Sequence, residues 1–350
     1  MSTESYGHTP KEVIALQGLI DTFLRWKNNA EKSDRKYFQY HPSEWGKCLR
    51  KQQYLHYVQL GQMSVVHPEL PSLKIRLFDK GHNMHDRWSR YFDEIGDVLM
   101  GRWRCKNRMC RLIGDDGKPV KNIKEAFKKL AIEGEGRLTG KPNEPMFRPK
   151  ECICGCKDFE YVETRVLSER LNMAGNADLV LNCDNLNAEK FKTVPVTFNT
   201  KYLPVSGRKV VIDMKTANSN SFQRQVLKKG AHPEYLVQLT IYIHLLGCDY
   251  GLIVYECKND SKTQWIKVDR NPAWWETIQR QALWMIENGR ERINQGKKGA
   301  LPPPKPLHKK EMECSYCSFK SLCHKSEIWK MKTLERDRKL FYGDLLFHKS

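Results

Sequence analysis

Residues Lys209–Thr216 read KVVIDMKT and place an acid and a lysine at the end of an apolar run. The three β-branched residues Val210–Ile212 predict a strand that is covered on both faces. Because side chains alternate along a strand, Asp213 and Lys215 point to the same side. A carboxylate that can hold a divalent cation beside an ammonium group is typical of metal-dependent phosphodiester hydrolysis. The D-x-K triplet alone is also common at ordinary strand ends, so the rest of the chain must supply further residues of the site.

A second acid lies upstream of this strand. Residues Arg165–Asn182 predict a strand, a turn and a second strand, and Asp178 stands directly before the apolar run Leu179–Leu181. We expect this second strand to pair antiparallel with the D-x-K strand, so that Asp178 and Asp213 lie side by side. Two adjacent carboxylates repel each other unless a cation joins them, which is the arrangement that hydrolytic metal sites use.

Two predicted helices add polar side chains. In Leu77–Ile95, His85 shares a helical face with aromatic residues; a histidine on such a face is usually just packed, and it becomes a ligand candidate only if the acids converge on it. In Glu234–Leu246, Gln238 and Tyr242 are four residues apart and therefore lie on one face. Their amide and hydroxyl groups can reach a phosphate or a backbone group, although by themselves they are ordinary residues at the edge of a core.

The middle of the chain carries two cysteine knuckles separated by a polar, lysine-rich stretch. Thiolates from two such turns can close a tetrahedral zinc shell and hold an insertion that has little core of its own. Five cysteines compete for four positions. We expect Cys105, Cys110, Cys154 and Cys156 to bind the zinc, with Cys152 as the alternative to Cys156. The competing interpretation is a set of free thiols on a loop.

Three more cysteines follow the proline- and lysine-rich linker Gly296–Lys310. Cys314, Cys317 and Cys323 are spaced C-x2-C-x5-C, and Cys48 stands alone near the other end of the chain. A single cysteine is more often a small core residue than a ligand. In a reducing compartment, clustered cysteines indicate metal binding sooner than disulfides.

The charge balance indicates a polyanionic partner. Sixty Lys and Arg against 41 Asp and Glu leave a formal net charge of +19 over the 350 residues, which most simply means nucleic acid. No run approaches the roughly 18 apolar residues that a membrane span needs. The first residues contain no apolar signal core, so we expect a cytoplasmic protein without a membrane partner.

Taken in chain order, the candidate residues form a series: His85, Asp178, Asp213-x-Lys215, Gln238-x3-Tyr242 and the C-x2-C-x5-C group, together with Cys48. This series resembles the RecB-like branch of the PD-(D/E)XK nucleases. It is most similar to the iron–sulfur members, the CRISPR-associated RecB-like exonucleases and the nuclease domain of AddB. Each piece is common, but the pieces in this order are specific, and they span nearly the whole chain.

The resemblance implies a role for each matching residue. The implied ligands of Mg²⁺ or Mn²⁺ are His85, Asp178, Asp213 and the carbonyl of Met214. Lys215 would orient the attacking water or stabilise charge on the phosphoryl oxygens, and Gln238 and Tyr242 would position the motif and the DNA strand. The implied ligands of a [4Fe–4S] cluster are Cys48, Cys314, Cys317 and Cys323, with zinc as the rival occupant.

We therefore expect an α/β fold with a PD-(D/E)XK core, in which a central mixed sheet is flanked by helices and carries a zinc-knuckle insertion. The expected regions form one integrated nuclease domain. They are an N-terminal helical region (1–100), the zinc-binding insertion (101–163), the nuclease core (164–295), and the linker with the iron–sulfur segment (296–350).

The resemblance implies a metal-dependent DNA nuclease. An exonuclease acting on single-stranded DNA or DNA ends is favoured, with a weak preference for 5′→3′ polarity. The alternatives are a structure-selective endonuclease and a non-catalytic DNA-binding partner of a helicase. The insertion and the connection 183–208 are larger than in the compact CRISPR-associated proteins. This favours a free-standing nuclease of a phage or mobile element in a bacterial or infected cell, acting in replication, recombination or DNA degradation with a helicase or recombination protein.

Overall fold

A mixed β-sheet forms the centre of the computed structural model, which describes residues 18–26, 38–64, 72–112, 136–183, 209–295, 297, 299–306, 312–315 and 317–346. The order along the main sheet is β10-β9-β8-β7-β1-β2, with β3 and β4 also paired to β1, while β5 and β6 form a separate two-stranded sheet. The strands are β1 (Leu99–Cys105), β2 (Leu138–Thr139), β3 (Met146–Phe147), β4 (Phe159–Val162), β5 (Thr164–Ser168), β6 (Met173–Ala177), β7 (Leu179–Asn182), β8 (Lys209–Ala217), β9 (Tyr250–Cys257) and β10 (Thr263–Asp269).

Helices cover both faces of this sheet. The longer ones are α1 (Leu49–Gln59), α2 (Ser72–Ile95), α3 (Pro233–Leu245), α4 (Pro272–Met285) and α5 (Leu334–Tyr342). Residues 18–26 are also helical. The shorter helical segments are Pro42–Trp45, Arg108–Leu112, Ser219–Ser221, Phe222–Val226, Leu227–Lys229, Ile286–Glu291, Arg292–Asn294, Met312–Ser315, Lys320–His324, Glu327–Lys330 and Gly343–Leu346. Among the residues described, no helix is both long enough and apolar enough to cross a membrane.

Strand β8 lies inside the sheet, as its apolar run predicts. It pairs antiparallel with β7 and parallel with β9. Val210 and Ile212 pack on one face with Met84 and other residues of α2, whereas Val211 packs on the opposite face with Leu239 and other residues of α3. The expected central mixed sheet with flanking helices is therefore confirmed.

The insertion grows directly out of this sheet through β1. Leu99 and Met100 pair with β7, and the continuation from Arg102 to Cys105 pairs with β4. Trp103 is fully buried there, and its indole N–H donates to the carbonyl of Met146 at 2.9 Å. Strand β1 thus belongs both to the core and to the insertion, and it spans the boundary expected between residues 100 and 101.

The segment expected to be one strand, a turn and a second strand contains three strands. Strands β5 and β6 pair with each other as a hairpin in their own small sheet, and the chain enters the central sheet as β7 after Asp178. The hairpin turn places Asn172 at φ +48°, a backbone region that asparagine tolerates better than most residues. The connection 184–208 and residues 307–311 of the linker lie outside the described residues.

Candidate functional site

The two acids of the sequence motifs meet where β7 begins. Leu179 is paired with Ile212 in the antiparallel register, so the preceding Asp178 comes opposite Asp213. The backbone N–H of Met214 donates to Asp178 Oδ2 at 2.6 Å. The phenolic hydroxyl of Tyr161 donates to the backbone carbonyl of Asp178 at 2.8 Å. The two carboxylates are therefore neighbours, as the strand pattern predicts.

The carboxylate of Asp213 is buried and has a partner on each oxygen. The amide of Gln238 in α3 donates to Oδ1 at 2.9 Å, and the ammonium of Lys215 lies 2.7 Å from Oδ2. Only 1% of the Asp213 side chain is exposed. The same Gln238 amide lies 3.4 Å from the hydroxyl of Tyr242, and the Lys215 ammonium lies 4.9 Å from the ring centre of Tyr235. Helix α3 therefore fixes the orientation of the D-x-K acid.

His85 reaches the site from α2 together with an acid that the sequence analysis missed. His85 Nδ1 lies 3.6 Å from Asp178 Oδ1 and 3.6 Å from Glu163 Oε1. One ligand atom from each of these three residues lies within 4.8 Å of the other two, so the group could hold a metal ion. Glu163 stands directly before β5, just as Asp178 stands directly before β7. That shared position at the start of a strand is the one signal that would have singled it out.

The structure thus brings together every side chain that the sequence series assigns to the active centre. Met214 contributes its N–H to Asp178, while the role of its carbonyl as a ligand stays a prediction. Asp213 is not a member of the three-residue group found among the described residues. Its oxygens are instead engaged by Gln238 and Lys215.

Burial and mutual charge shift the protonation of these groups. Burial raises the pKa of Asp178 to about 7, against the opposing effect of His85. Burial also raises the pKa of Asp213, against the opposing effect of Lys215. For Lys215 burial lowers the pKa, but Asp213 and Asp178 outweigh it, so the ammonium form is favoured. For His85 burial also lowers the pKa, but Glu163 and Asp178 outweigh it. The centre therefore holds close carboxylates whose full ionisation needs added positive charge.

The cysteine knuckles of the insertion form a second candidate centre. The sulfur atoms of Cys105, Cys110, Cys152 and Cys154 all lie within 4.8 Å of one another, and those of Cys105 and Cys154 are 3.7 Å apart. Burial opposes ionisation of the Cys154 thiol, but hydrogen bonds from the Cys156 N–H and from Cys105 outweigh it and lower its pKa. Four thiols that lie this close together could hold one metal ion.

The fourth sulfur of this group belongs to Cys152, where Cys156 was expected. The knuckle closes through hydrogen bonds between the backbones of Cys152 and Cys156 and turns at Gly155, which has φ +79°. In this turn the thiol of Cys156 contacts the carbonyl of Asp158 at 3.5 Å. The alternating C-x-C-x-C spacing did not distinguish the two residues because both flank the turn.

The cysteines from the two chain ends line one cavity of about 390 Å³. Its walls include Cys48, Cys314, Cys317 and Cys323 as well as Lys47, Arg50, Lys51 and Lys320. Within the described part of the chain, these four cysteines do not form a group whose sulfurs all lie within 4.8 Å of one another. The four cysteines therefore share one cavity, and a cluster or an ion as its occupant stays a prediction.

Comparisons with known proteins leave the family open. No family model and no curated protein matches the chain. One solved structure, described as "Crystal structure of SSO0001", aligns with a TM-score of 0.37 and 14% identity, covering 88% of this chain and 97% of that one. At these values the likeness supports no inference about this chain, and membership of the PD-(D/E)XK nucleases stays a prediction.

We expect Asp178→Asn to stabilise the metal-free protein at neutral and alkaline pH. The pKa of Asp178 is about 7 in the folded chain, against about 3.9 for an unfolded aspartate. The stability that comes from binding this proton is therefore complete below about pH 4 and is lost as the pH rises through about 7. The variant should exceed wild type by about 1–3 kcal/mol near pH 8, and by much less near pH 4, in urea unfolding with a chelator present. The control Asp269→Asn changes an exposed acid, and equal pH dependence of Asp178→Asn and wild type would contradict the shift.

We expect Cys152→Ser to lose the metal of the insertion and Cys156→Ser to keep it. Serine oxygen is a poor substitute for a thiolate in a tetrahedral zinc shell, and only Cys152 belongs to the converging group. Elemental analysis of the purified proteins for zinc measures the difference. Because the two cysteines lie in the same turn, loss of zinc from both variants or from neither would contradict the assignment.

Proposed function

We propose that this protein is a metal-dependent DNA nuclease with a PD-(D/E)XK-type active centre. The observation that carries the proposal is the convergence of His85, Asp178 and the Asp213–Lys215 pair, which come from three distant stretches of the sequence. A lone D-x-K strand end has no reason to attract a histidine and a second acid. Their meeting at one edge of the sheet is the arrangement that the sequence resemblance implies.

The side chains around Asp178 suit Mg²⁺ or Mn²⁺. His85, Glu163 and Asp178 supply one nitrogen and carboxylate oxygens, which are ligands that these ions accept. A divalent cation bound there would polarise the phosphodiester and ease deprotonation of the attacking water. Asp213 would add negative charge beside this position, and the Met214 N–H holds Asp178 in its orientation.

Lys215 is best suited to stabilise charge. Its pKa is raised because Asp213 and Asp178 outweigh the effect of burial, so the side chain stays an ammonium ion at neutral pH. An ammonium ion cannot take a proton from water, but it can donate hydrogen bonds to a phosphoryl oxygen on which negative charge grows. Of the two roles that the resemblance allows for this lysine, the electrostatic one is therefore favoured.

A single-stranded substrate is supported by charge and by exposed aromatic rings. The formal net charge of +19 favours binding to phosphates. Trp88 lies three residues after His85, about one helical turn away, and its ring contacts Tyr91 and Trp265. The last two are 44% and 40% exposed. Exposed rings beside a basic surface are the platform on which unpaired bases stack.

The two cysteine centres suit structural metals. Zinc is proposed for Cys105, Cys110, Cys152 and Cys154, since their four sulfurs lie close enough together to bind one ion. A [4Fe–4S] cluster is proposed for the cavity lined by Cys48, Cys314, Cys317 and Cys323. The lysine and arginine side chains in its wall outnumber Glu234 and Glu313 and would offset part of the negative charge of a thiolate-bound cluster. Such a cluster would join α1 to the C-terminal segment and act as a structural link.

The biological setting rests on the sequence resemblance alone. It favours an exonuclease of 5′→3′ polarity in the replication, recombination or DNA degradation of a phage or mobile element, working with a helicase or recombination protein in the cytoplasm. The structure-selective endonuclease and the non-catalytic DNA-binding protein remain as the alternative outcomes of the test below.

We expect wild-type protein with Mn²⁺ to degrade end-labelled linear single-stranded DNA and to spare the circular form. Asp213→Asn and Lys215→Gln should each lower the rate by at least about 10²–10³-fold, because they remove charge at the reacting phosphate. Lys262→Gln is the matched control, since Lys262 is an exposed lysine that pairs with its neighbour Asp260.

Each outcome of the digestion assigns the protein to one class. Full activity of both site variants would refute the active centre. Cleavage of circular DNA that Asp213→Asn abolishes would indicate the endonuclease. DNA that is bound tightly and left intact by wild type would indicate a non-catalytic binding protein.

We expect Cys317→Ser to lose iron and the brown colour of the purified protein, because one of four thiolate ligands is removed. Cys257→Ser is the control, because Cys257 is a buried cysteine on β9 and does not line the cavity. Iron content and visible absorbance measure the difference. A colourless wild-type protein whose C-terminal cysteines bind zinc would contradict the cluster.

A further inference from the structure

Strand β4 links the cysteine group of the insertion to the candidate active centre. Its first residue, Phe159, pairs with Cys105 of the metal-binding group. Glu163 follows its last residue directly. At about 3.3 Å per residue, four residues of extended chain separate the two ends by about 13 Å. Whatever fixes the first end of this strand therefore also sets the position of Glu163.

Two groups from this strand and the residue after it contact the active centre, and a third contact ties Glu163 to β1. The hydroxyl of Tyr161 donates to the carbonyl of Asp178. The carboxylate of Glu163 lies 3.6 Å from His85 Nδ1, and the backbone carbonyl of Glu163 accepts a hydrogen bond from Arg102 Nε at 2.9 Å. Strands β1 and β4 of the insertion thus hold Glu163 from both sides.

The close packing of these two strands is built into the sequence at Gly101. A Cβ atom at this position would meet the ring of Tyr161 at 2.2 Å, which is shorter than any real contact. Only glycine allows the Tyr161 ring to lie across β1 and reach Asp178. The insertion is therefore fitted to the active centre and is more than an appendage on the core.

Glu163 and Asp178 share one nitrogen of His85. His85 Nδ1 is equally close to both acids, and ligand atoms of all three residues converge. A protonated His85 would compensate the charge of one carboxylate, whereas a divalent cation compensates the charge of both. The other acid of the site, Asp213, already has partners on both oxygens.

We propose that Glu163 is a ligand of a divalent cation shared with His85 and Asp178, and that the cysteine group of the insertion holds the strand that presents it. The proposal rests on the cation site of the proposed nuclease and adds a residue that the sequence series lacks. In this proposal the insertion positions Glu163 so that this residue completes the coordination of the cation.

The test measures the affinity of the DNA-free protein for Mn²⁺. The electron paramagnetic resonance signal of the unbound ion gives the free Mn²⁺ concentration during a titration. Glu163→Gln keeps the size of the side chain and removes its charge, and it should weaken Mn²⁺ binding by at least about tenfold. Glu169→Gln is the control, because Glu169 is an exposed acid of the β5–β6 hairpin. Unchanged Mn²⁺ affinity in Glu163→Gln would overturn the ligand assignment.

A second pair of variants tests the task of the insertion. Cys152→Ser should weaken Mn²⁺ binding at the distant site, while Cys156→Ser should not. A folded, zinc-free Cys152→Ser protein with wild-type Mn²⁺ affinity would overturn the link. The nuclease proposal can fail independently of this one. If wild-type protein binds Mn²⁺ through Glu163 and leaves DNA intact, the nuclease proposal is refuted and the assignment of Glu163 as a ligand stands.

Discussion

The buried ion pair between Asp213 and Lys215 is the interaction on which the arrangement of the site depends. A carboxylate with almost no exposure is tolerable only when both of its oxygens are engaged, because an unpaired buried charge costs several kcal/mol. Lys215 from the same strand and Gln238 from α3 meet this demand. These two contacts fix the orientation of Asp213 against α3, whose apolar side chains pack on the same face of β8. Asp178, which accepts the N–H of Met214, is the acid that faces His85.

The three metal-binding candidates differ in the physical role that their geometry suits. The cysteine group of the insertion is compact, and its buried members belong to the same core cluster as β8. The cavity at α1 lies between distant parts of the chain and is lined by both basic and acidic residues. The carboxylate–histidine group at β7 is partly open to solvent, as a site must be if a substrate is to reach it. In the proposed function the two cysteine groups hold structural metals, and the carboxylate–histidine group holds the metal that takes part in the chemistry.

Much of this arrangement follows from local sequence patterns, and the remainder depends on long-range packing. The apolar run before Asp213 correctly predicted β8, and the helical spacing around His85 correctly predicted α2. A strand that is buried on both faces and a helix that is buried on one face each leave a direct pattern of apolar residues in the sequence. The pairing of β7 with β8 was predicted from the acids that they carry. Glu163 was missed because its position directly before β5 was not recognised, and its approach to His85 depends on long-range packing of β4. Cys152 and Cys156 could not be ranked because the choice depends on the left-handed turn at Gly155.

The most direct test of the account is anomalous diffraction from crystals of the protein soaked in Mn²⁺. The account predicts one Mn²⁺ peak in contact with His85, Asp178 and Glu163, with Lys215 remaining on Asp213. A peak at another position, or an empty site in which His85 stays paired with the two acids at saturating Mn²⁺, would contradict it.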